Sequence, residues 1–378
     1  MQQTRRDFLM TMVGAGLLAG CGGTEVASVP PDNPPVVNSP LDEATLNRTL
    51  DEQFAVLDAP GVIAGVWVGG QSWTALRGVQ DTLTRTPVTM NLHTRVGSVT
   101  KTLTGTLILQ LVGEGLLGLD ESIERWFPEL PDARAITIRD LGSMSSGIDS
   151  YTLDPKVADE YLSNPTRAWS PQELVAAGAS LPRKFPPGLG FQYSNTNFVM
   201  LGLIVESLRG KPIAQVLKER IFARLGMEQS SYPLDTRLPD PHWSGYTLQG
   251  SADNLPLDAT EWSPTFASTA GEMVSTLEDL RIWTRVLGTG SLLSPALQAE
   301  RLKPNLASQA GGRAYLFALG REPGGWLAHD GEIPGFNTQI AYLPSLDATI
   351  VVMVNCDIGK APAAQIFAAL ASIIAPEA

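Results

Sequence analysis

The feature that most constrains this chain is the stretch Val96-Gly97-Ser98-Val99-Thr100-Lys101, followed by Thr102 to Val112 without one ionisable residue. A charge-free run of about three helical turns must be buried on every side, so the rest of the chain has to fold around it. Ser98 and Lys101 are three apart, and on a helix they lie on one face with side chains that can touch. A serine hydroxyl is a weak nucleophile until a base takes its proton, and a lysine amine serves as that base when desolvation lowers its pKa. The apolar run supplies the desolvation, and the helix N-terminus adds positive partial charge where an oxyanion would develop. With this content of serine and lysine, composition alone yields about 0.5 Ser-x-x-Lys motifs, so the pair gains its weight from its company.

That company is a Tyr-x-Asn and a His-x-Gly. Pro187-Gly188-Leu189-Gly190-Phe191-Gln192 leads into Tyr193-Ser194-Asn195, whose first and third side chains point the same way in an extended chain. Tyr193 can shuttle a proton and Asn195 can hold a substrate amide. Further on, His329-Asp330-Gly331 closes an expected strand, where the glycine lets a substrate lie against the backbone. Ser-x-x-Lys, Tyr-x-Asn and Lys/His-x-Gly each occur once and in that order, a coincidence of about one or two in a hundred.

Periodicity sets the fold. Leu46, Leu50, Phe54 and Leu57 form one face of a helix begun at Ser39-Pro40, and runs at 62–68 and 72–79, joined by Gly69-Gly70, read as a hairpin. Helices follow at 196–208, 213–225 and 276–287, strands at 315–319, 326–329, 339–343 and 349–354, and a last helix at 361–374. The expected class is α/β of the α+β type, an antiparallel sheet flanked by helices with an inserted mainly helical lobe. One module spans 45–376, its α/β part about 45–112 and 270–376 and its helical part about 113–269, with the site in the cleft between them.

Charge and composition narrow the chemistry. Formal charge is −12, and without residues 1–20, which hold Arg5, Arg6 and Asp7, it is −13, so a phosphate backbone is repelled and no nucleic acid partner is expected. Three histidines without a metal-binding spacing argue for no metal and no cofactor. No Gly-x-Ser-x-Gly elbow is present, so an α/β-hydrolase has no nucleophile here. Arg5-Arg6-Asp7-Phe8-Leu9, an apolar run too short to span a bilayer, and Leu18-Ala19-Gly20-Cys21 resemble a twin-arginine export signal ending in a bacterial lipoprotein cleavage site. The expectation is a signal over 1–20, a lipidated Cys21, a flexible tether over 21–44, and a module held on the outer side of the cytoplasmic membrane.

The three motifs, with Ala270-Gly-Glu-Met-Val-Ser-Thr276 and the continuation of the third motif to Phe336, resemble the serine β-lactamase/D-alanyl-D-alanine carboxypeptidase family. More narrowly, they resemble its branch with a histidine in the third motif, together with class C β-lactamases and related esterases. The resemblance covers roughly 45 to 375. It implies that Ser98 is acylated, that Lys101 and Tyr193 exchange protons with it and with the leaving group, either being open to the role of main base, and that Asn195, His329, Asp330 and Gly331 bind substrate. It also implies an oxyanion hole from the backbone N–H groups of Ser98 and Glu332. The substrate would be a D-amino-acid peptide, possibly of the cell wall, or a β-lactam, with an uncharged ester or amide as the alternative. Two departures stand out. Asp330 replaces a hydroxyl residue and would repel a substrate carboxylate. The segment Ile138 to Gly147 lacks the histidines common near Asp140 and Met144, which reads as a lost structural hydrogen-bonding role.

Overall fold

The computed structural model describes residues 41–233 and 235–376. Its frame is helix α1 (Glu43–Val56), strands β1 (Gly61–Val68) and β2 (Gln71–Gly78), and helices α2 (Thr100–Gly113), α3 (Asn195–Arg209) and α4 (Leu277–Thr289). Strands β3 (Ala314–Tyr315), β4 (Gly320–Arg321), β5 (Leu327–Ile333), β6 (Phe336–Leu343) and β7 (Ala348–Val354) follow, and helix α5 (Pro362–Ile374) is last. The sheet runs β2-β1-β7-β6-β5-β4-β3, every pairing antiparallel, so the first hairpin joins the last strands through β1 and β7. The antiparallel sheet layered with helices is the expected architecture.

Alternation divides the core. Val62, Ala64 and Val66 on β1, with Ile350 and Val352 on β7, pack against Leu46 and Leu50 of α1 and Ile366 and Leu370 of α5. Ile63, Val351 and Met353 face the other way, into a larger core with Leu103 and Leu107 of α2 and Leu280, Trp283 and Leu287 of α4. Helices on both faces explain why β1 and β7 are apolar along their whole length.

Several expected boundaries move. Helix α1 is capped by Asp42, whose carboxylate accepts from the Thr45 N–H at 3.0 Å, so the start expected at Ser39-Pro40 is displaced; those two residues, like Cys21 and the expected signal, lie outside the described residues. The strand expected over 315–319 reduces to β3, because Ala318 turns back with a positive φ of 56°. Between α2 and α4 the chain is mostly short helices, among them Pro155–Ser163 and Pro171–Ser180, with a two-stranded ribbon of Tyr246–Thr247 and Leu257–Asp258. Trp169, Trp243 and Tyr246 in this region are buried. Among the described residues, no helix is long and apolar enough to cross a membrane.

Candidate active site

Ser98 sits on a 3-10 turn, Gly97–Val99, that runs into α2, one step before the α-helix proper. Lys101 projects from the first turn of α2 with no solvent exposure. Its Nζ lies 2.8 Å from Ser98 Oγ and donates to the Ala270 carbonyl at 2.7 Å. Burial drives the Lys101 pKa well below the ordinary lysine range, with Asp330 pulling the other way.

The helix is pinned through its threonines. Thr100 accepts from the Met273 N–H, Thr102 accepts from Trp283 Nε1 at 2.8 Å, Thr104 donates to the Thr269 carbonyl at 2.9 Å, and Thr106 accepts from Arg301 at 2.6 Å. The Val96 N–H donates to the Met273 carbonyl at 3.0 Å. Segment 269–273 therefore braces both the nucleophile's turn and its lysine. Sequence reasoning missed these supports, although alternate threonines in an otherwise apolar helix were a signal that it meets polar partners.

Two glycines let β5 cross directly over the nucleophile's turn. A Cβ on Gly331 would lie 1.9 Å from the Val96 oxygen and 3.1 Å from the Ser98 nitrogen. Gly97, with φ at 51°, would carry a Cβ only 2.5 Å from the Glu332 nitrogen. The backbone nitrogens of Ser98 and Glu332 thus lie at one crossing, where two N–H groups can serve one oxyanion. His329-Asp330-Gly331 lies within β5 rather than at its end, a correction that follows from pairing with β6 through Phe336↔Ile333.

Tyr193 is buried beside this centre. Its ring lies 4.9 Å from Lys101 Nζ, and Ser98 acts on its hydroxyl. Burial raises the Tyr193 pKa well above the usual phenol range. His329 Nδ1 lies 2.6 Å from the Asp330 carbonyl, which can only accept, so the neutral ring favoured by burial carries its proton on Nδ1. Its Nε2 is left to accept from the Tyr315 hydroxyl at 3.4 Å. Tyr315, which sequence reasoning took as an ordinary strand residue, stacks edge-on with Tyr193 at 6.0 Å between centroids.

Asn195 is the first residue of α3 and is buried, so the Tyr-x-Asn is not extended throughout as its spacing suggested. The segment without the two histidines still grips this motif. Met144 Sδ accepts from the Ser194 N–H at 3.3 Å, and Asp140 closes a capping box with Thr137 while accepting from the Ser145 hydroxyl at 2.7 Å. The expected loss of a structural role at these two positions is therefore a change of donor and acceptor types. Among the described residues, no group of histidine, cysteine, aspartate and glutamate side chains is arranged to hold a metal ion.

A nucleophile-base pair, a phenol and two convergent N–H groups can together perform acyl transfer. The chain is 28% identical to a D-aminopeptidase of Brucella anthropi over 311 residues, 80% of this chain and 57% of that protein. It spans about half to three-fifths of the length of the curated relatives it matches. A D-stereospecific amidohydrolase from a Streptomyces species superposes with a TM-score of 0.79 at 28% identity, over 89% of this chain and all of that one. D-amino acid amidase from Ochrobactrum anthropi SV3 gives 0.76 at 26% identity, over 88% and 97%. A family model described as Beta-lactamase matches residues 46–373, which takes in most of α1, all three motifs and nearly all of α5: the chain belongs to the Beta-lactamase family.

Proposed function

We propose that the protein is a serine hydrolase that works through an acyl-enzyme on amides of D-amino acids or their peptides. The observation that carries this reading is Lys101 Nζ, fully buried, 2.8 Å from Ser98 Oγ and held by burial well below the ordinary lysine pKa. Lys101 takes the Ser98 proton as Oγ bonds to the substrate carbonyl carbon, and the oxyanion rests between the N–H groups of Ser98 and Glu332. Tyr193, which keeps its proton, relays one to the leaving amine as the carbon–nitrogen bond breaks, and Lys101 restores it. Water then enters by the same route, releasing the acid and free Ser98. Asn195 and the edge of β5 at Gly331 hold the substrate amide. The likeness to a D-aminopeptidase, a D-stereospecific amidohydrolase and a D-amino acid amidase supports the acyl class. Asp330, on the cavity beside Tyr193, favours such amides, or an uncharged ester, over a carboxylate-bearing β-lactam.

The test is turnover of D-phenylalaninamide with mass-spectrometric trapping of the acyl group. Acylation at Ser98, lost in Ser98→Ala, is the expected result. An unlabelled Ser98 in a turning-over enzyme rejects the nucleophile, and turnover of p-nitrophenyl esters alone moves the substrate class to esters. We also infer from the sequence that Cys21 is lipidated after export. A Cys21→Ser chain is expected to leave the membrane fraction, and its retention there would refute the anchor.

A further inference from the structure

The cavity next to Tyr193 extends past the reacting centre. It has a volume of about 380 Å³ and runs from Tyr193 and Tyr315, past His329 and Asp330, to Ala364 and Phe367 on α5. Alternation along β5 divides it. His329 points to the face that carries Tyr193 and Tyr315, with ring centroids 6.5 and 6.1 Å away, while Asp330 lies with Ala328 and its cross-strand partner Gln339 on the α5 face. The groove thus wraps the edge of β5. Beyond Asp330 it is mainly apolar, floored by α5 with Gln339 and Ser372 as polar points, and ended by Trp326, which meets Phe367 edge-on at 5.6 Å.

The chemistry fixes which end of a substrate enters. The oxyanion nitrogen belongs to Glu332, so the scissile carbonyl lies there, and the groove starts two residues back and leads away from it. The groove also begins at Tyr193, the residue that protonates the leaving group. We propose that the space between the outer face of β5 and α5 is a leaving-group subsite for apolar groups with a neutral or cationic end, closed to groups that end in a carboxylate.

Charge placement supports the selectivity. The Asp330 side chain is 46% exposed, and the one basic group within ion-pair reach among the described residues is His329 Nδ1 at 4.0 Å, on a ring that burial keeps neutral. Asp330 also acts electrostatically on Lys101, Tyr193, Tyr315 and Glu322, so the groove's mouth is an anionic field. Of the arginines on the cavity, Arg313 is paired with Glu322 at 2.6 Å, while Arg321 donates to the Leu302 carbonyl at 3.2 Å and keeps its charge, on β4 and farther from the reacting centre than Asp330. A leaving group with a carboxylate meets Asp330 before it meets a free cation.

This subsite rests on the proposed acyl transfer, and its test separates the two. Three D-phenylalanyl anilides are compared, with hydrogen, aminomethyl or carboxylate in the para position. Expected is a kcat/KM for the carboxylate anilide about tenfold below that of the neutral one, with the cationic anilide equal or faster. Asp330→Asn is expected to shrink that gap to about twofold. Ala364→Phe, checked for an unchanged melting temperature, is expected to lower the ratio of anilide to D-phenylalaninamide kcat/KM by about tenfold, because ammonia needs no groove. Equal rates for carboxylate and neutral anilides, or an unchanged ratio in Ala364→Phe, overturn the subsite. Aryl acetates with the same three para groups read the preference without the D-aminoacyl group. If they show it while the D-phenylalanyl compounds are inert, the acyl assignment fails and the subsite stands.

Discussion

Burial acts in opposite directions on the two residues that share the proton of Ser98. It favours the uncharged form of each, which for Lys101 is the free amine and for Tyr193 the protonated phenol. Asp330 opposes the shift at Lys101 and reinforces the one at Tyr193, so it does not reverse this order. On the proposed mechanism Lys101 therefore receives the Ser98 proton and Tyr193 donates one to the leaving group. A base must be unprotonated to act, so acylation rises with pH through the lowered Lys101 pKa, and its acid limb lies well below the range of an ordinary lysine. Lys101→Arg fixes a positive charge 2.8 Å from the hydroxyl and is expected to cut the acylation rate by about a thousandfold or more, whereas Tyr193→Phe keeps the base and loses about ten- to a hundredfold. Single-turnover kinetics across pH distinguish the roles. A Tyr193→Phe loss equal to that of Lys101→Arg would contradict the assignment.

What could be read from the sequence follows element by element from how local its cause is. Helix α2, strands β1 and β7, and helices α3, α4 and α5 carry their burial in their own periodicity, and all appear within a few residues of where the apolar spacing places them. The third motif was located but its setting was not. Nothing local says that β5 continues through Glu332 and Ile333, because that stretch is ordered by pairing with β6, a contact of the sheet. Gly331 was assigned to making room for substrate, and the sharper demand comes from Val96, whose oxygen leaves no place for a Cβ. Likewise Met144 offered no sequence signal as a hydrogen-bond acceptor, since a thioether reads as core until its geometry shows it under the Ser194 N–H. Tyr315 was invisible for the same reason: it reaches His329 only because β3 and β4 fold back beside β5.

At the scale of the whole molecule, enclosing a sheet between helical layers buries acids as well as the apolar strands. Burial pushes Glu272, in the segment that braces Lys101, up to about 7, and Asp357 up to about 6, and it raises Glu332, Glu322 and Asp279 as well. An acid whose folded pKa exceeds its unfolded value gives its full contribution to stability below the unfolded value, and loses it as pH rises through the folded one. For Glu272 that window runs from 4.5 to about 7, and the loss across it is on the order of 3 kcal/mol. Self-repulsion in a chain of formal charge −12 acts in the same direction. The opposing class is at the surface: Glu173, held at about 2 by the Ser170 cap and by Arg167, loses its contribution only as pH falls through that value from above 4.5. Stability is therefore expected to peak near pH 5, with the melting temperature falling by several degrees toward pH 8, measured by calorimetry in a buffer series of constant ionic strength. Glu272→Gln removes a buried acid with little change of shape, so its slope between pH 5 and 8 is expected to be shallower than that of the parent. A melting temperature that holds level or rises over that interval would mean that the buried acids are ionised at little cost, and that the helical layers admit more water around Glu272 than their packing implies.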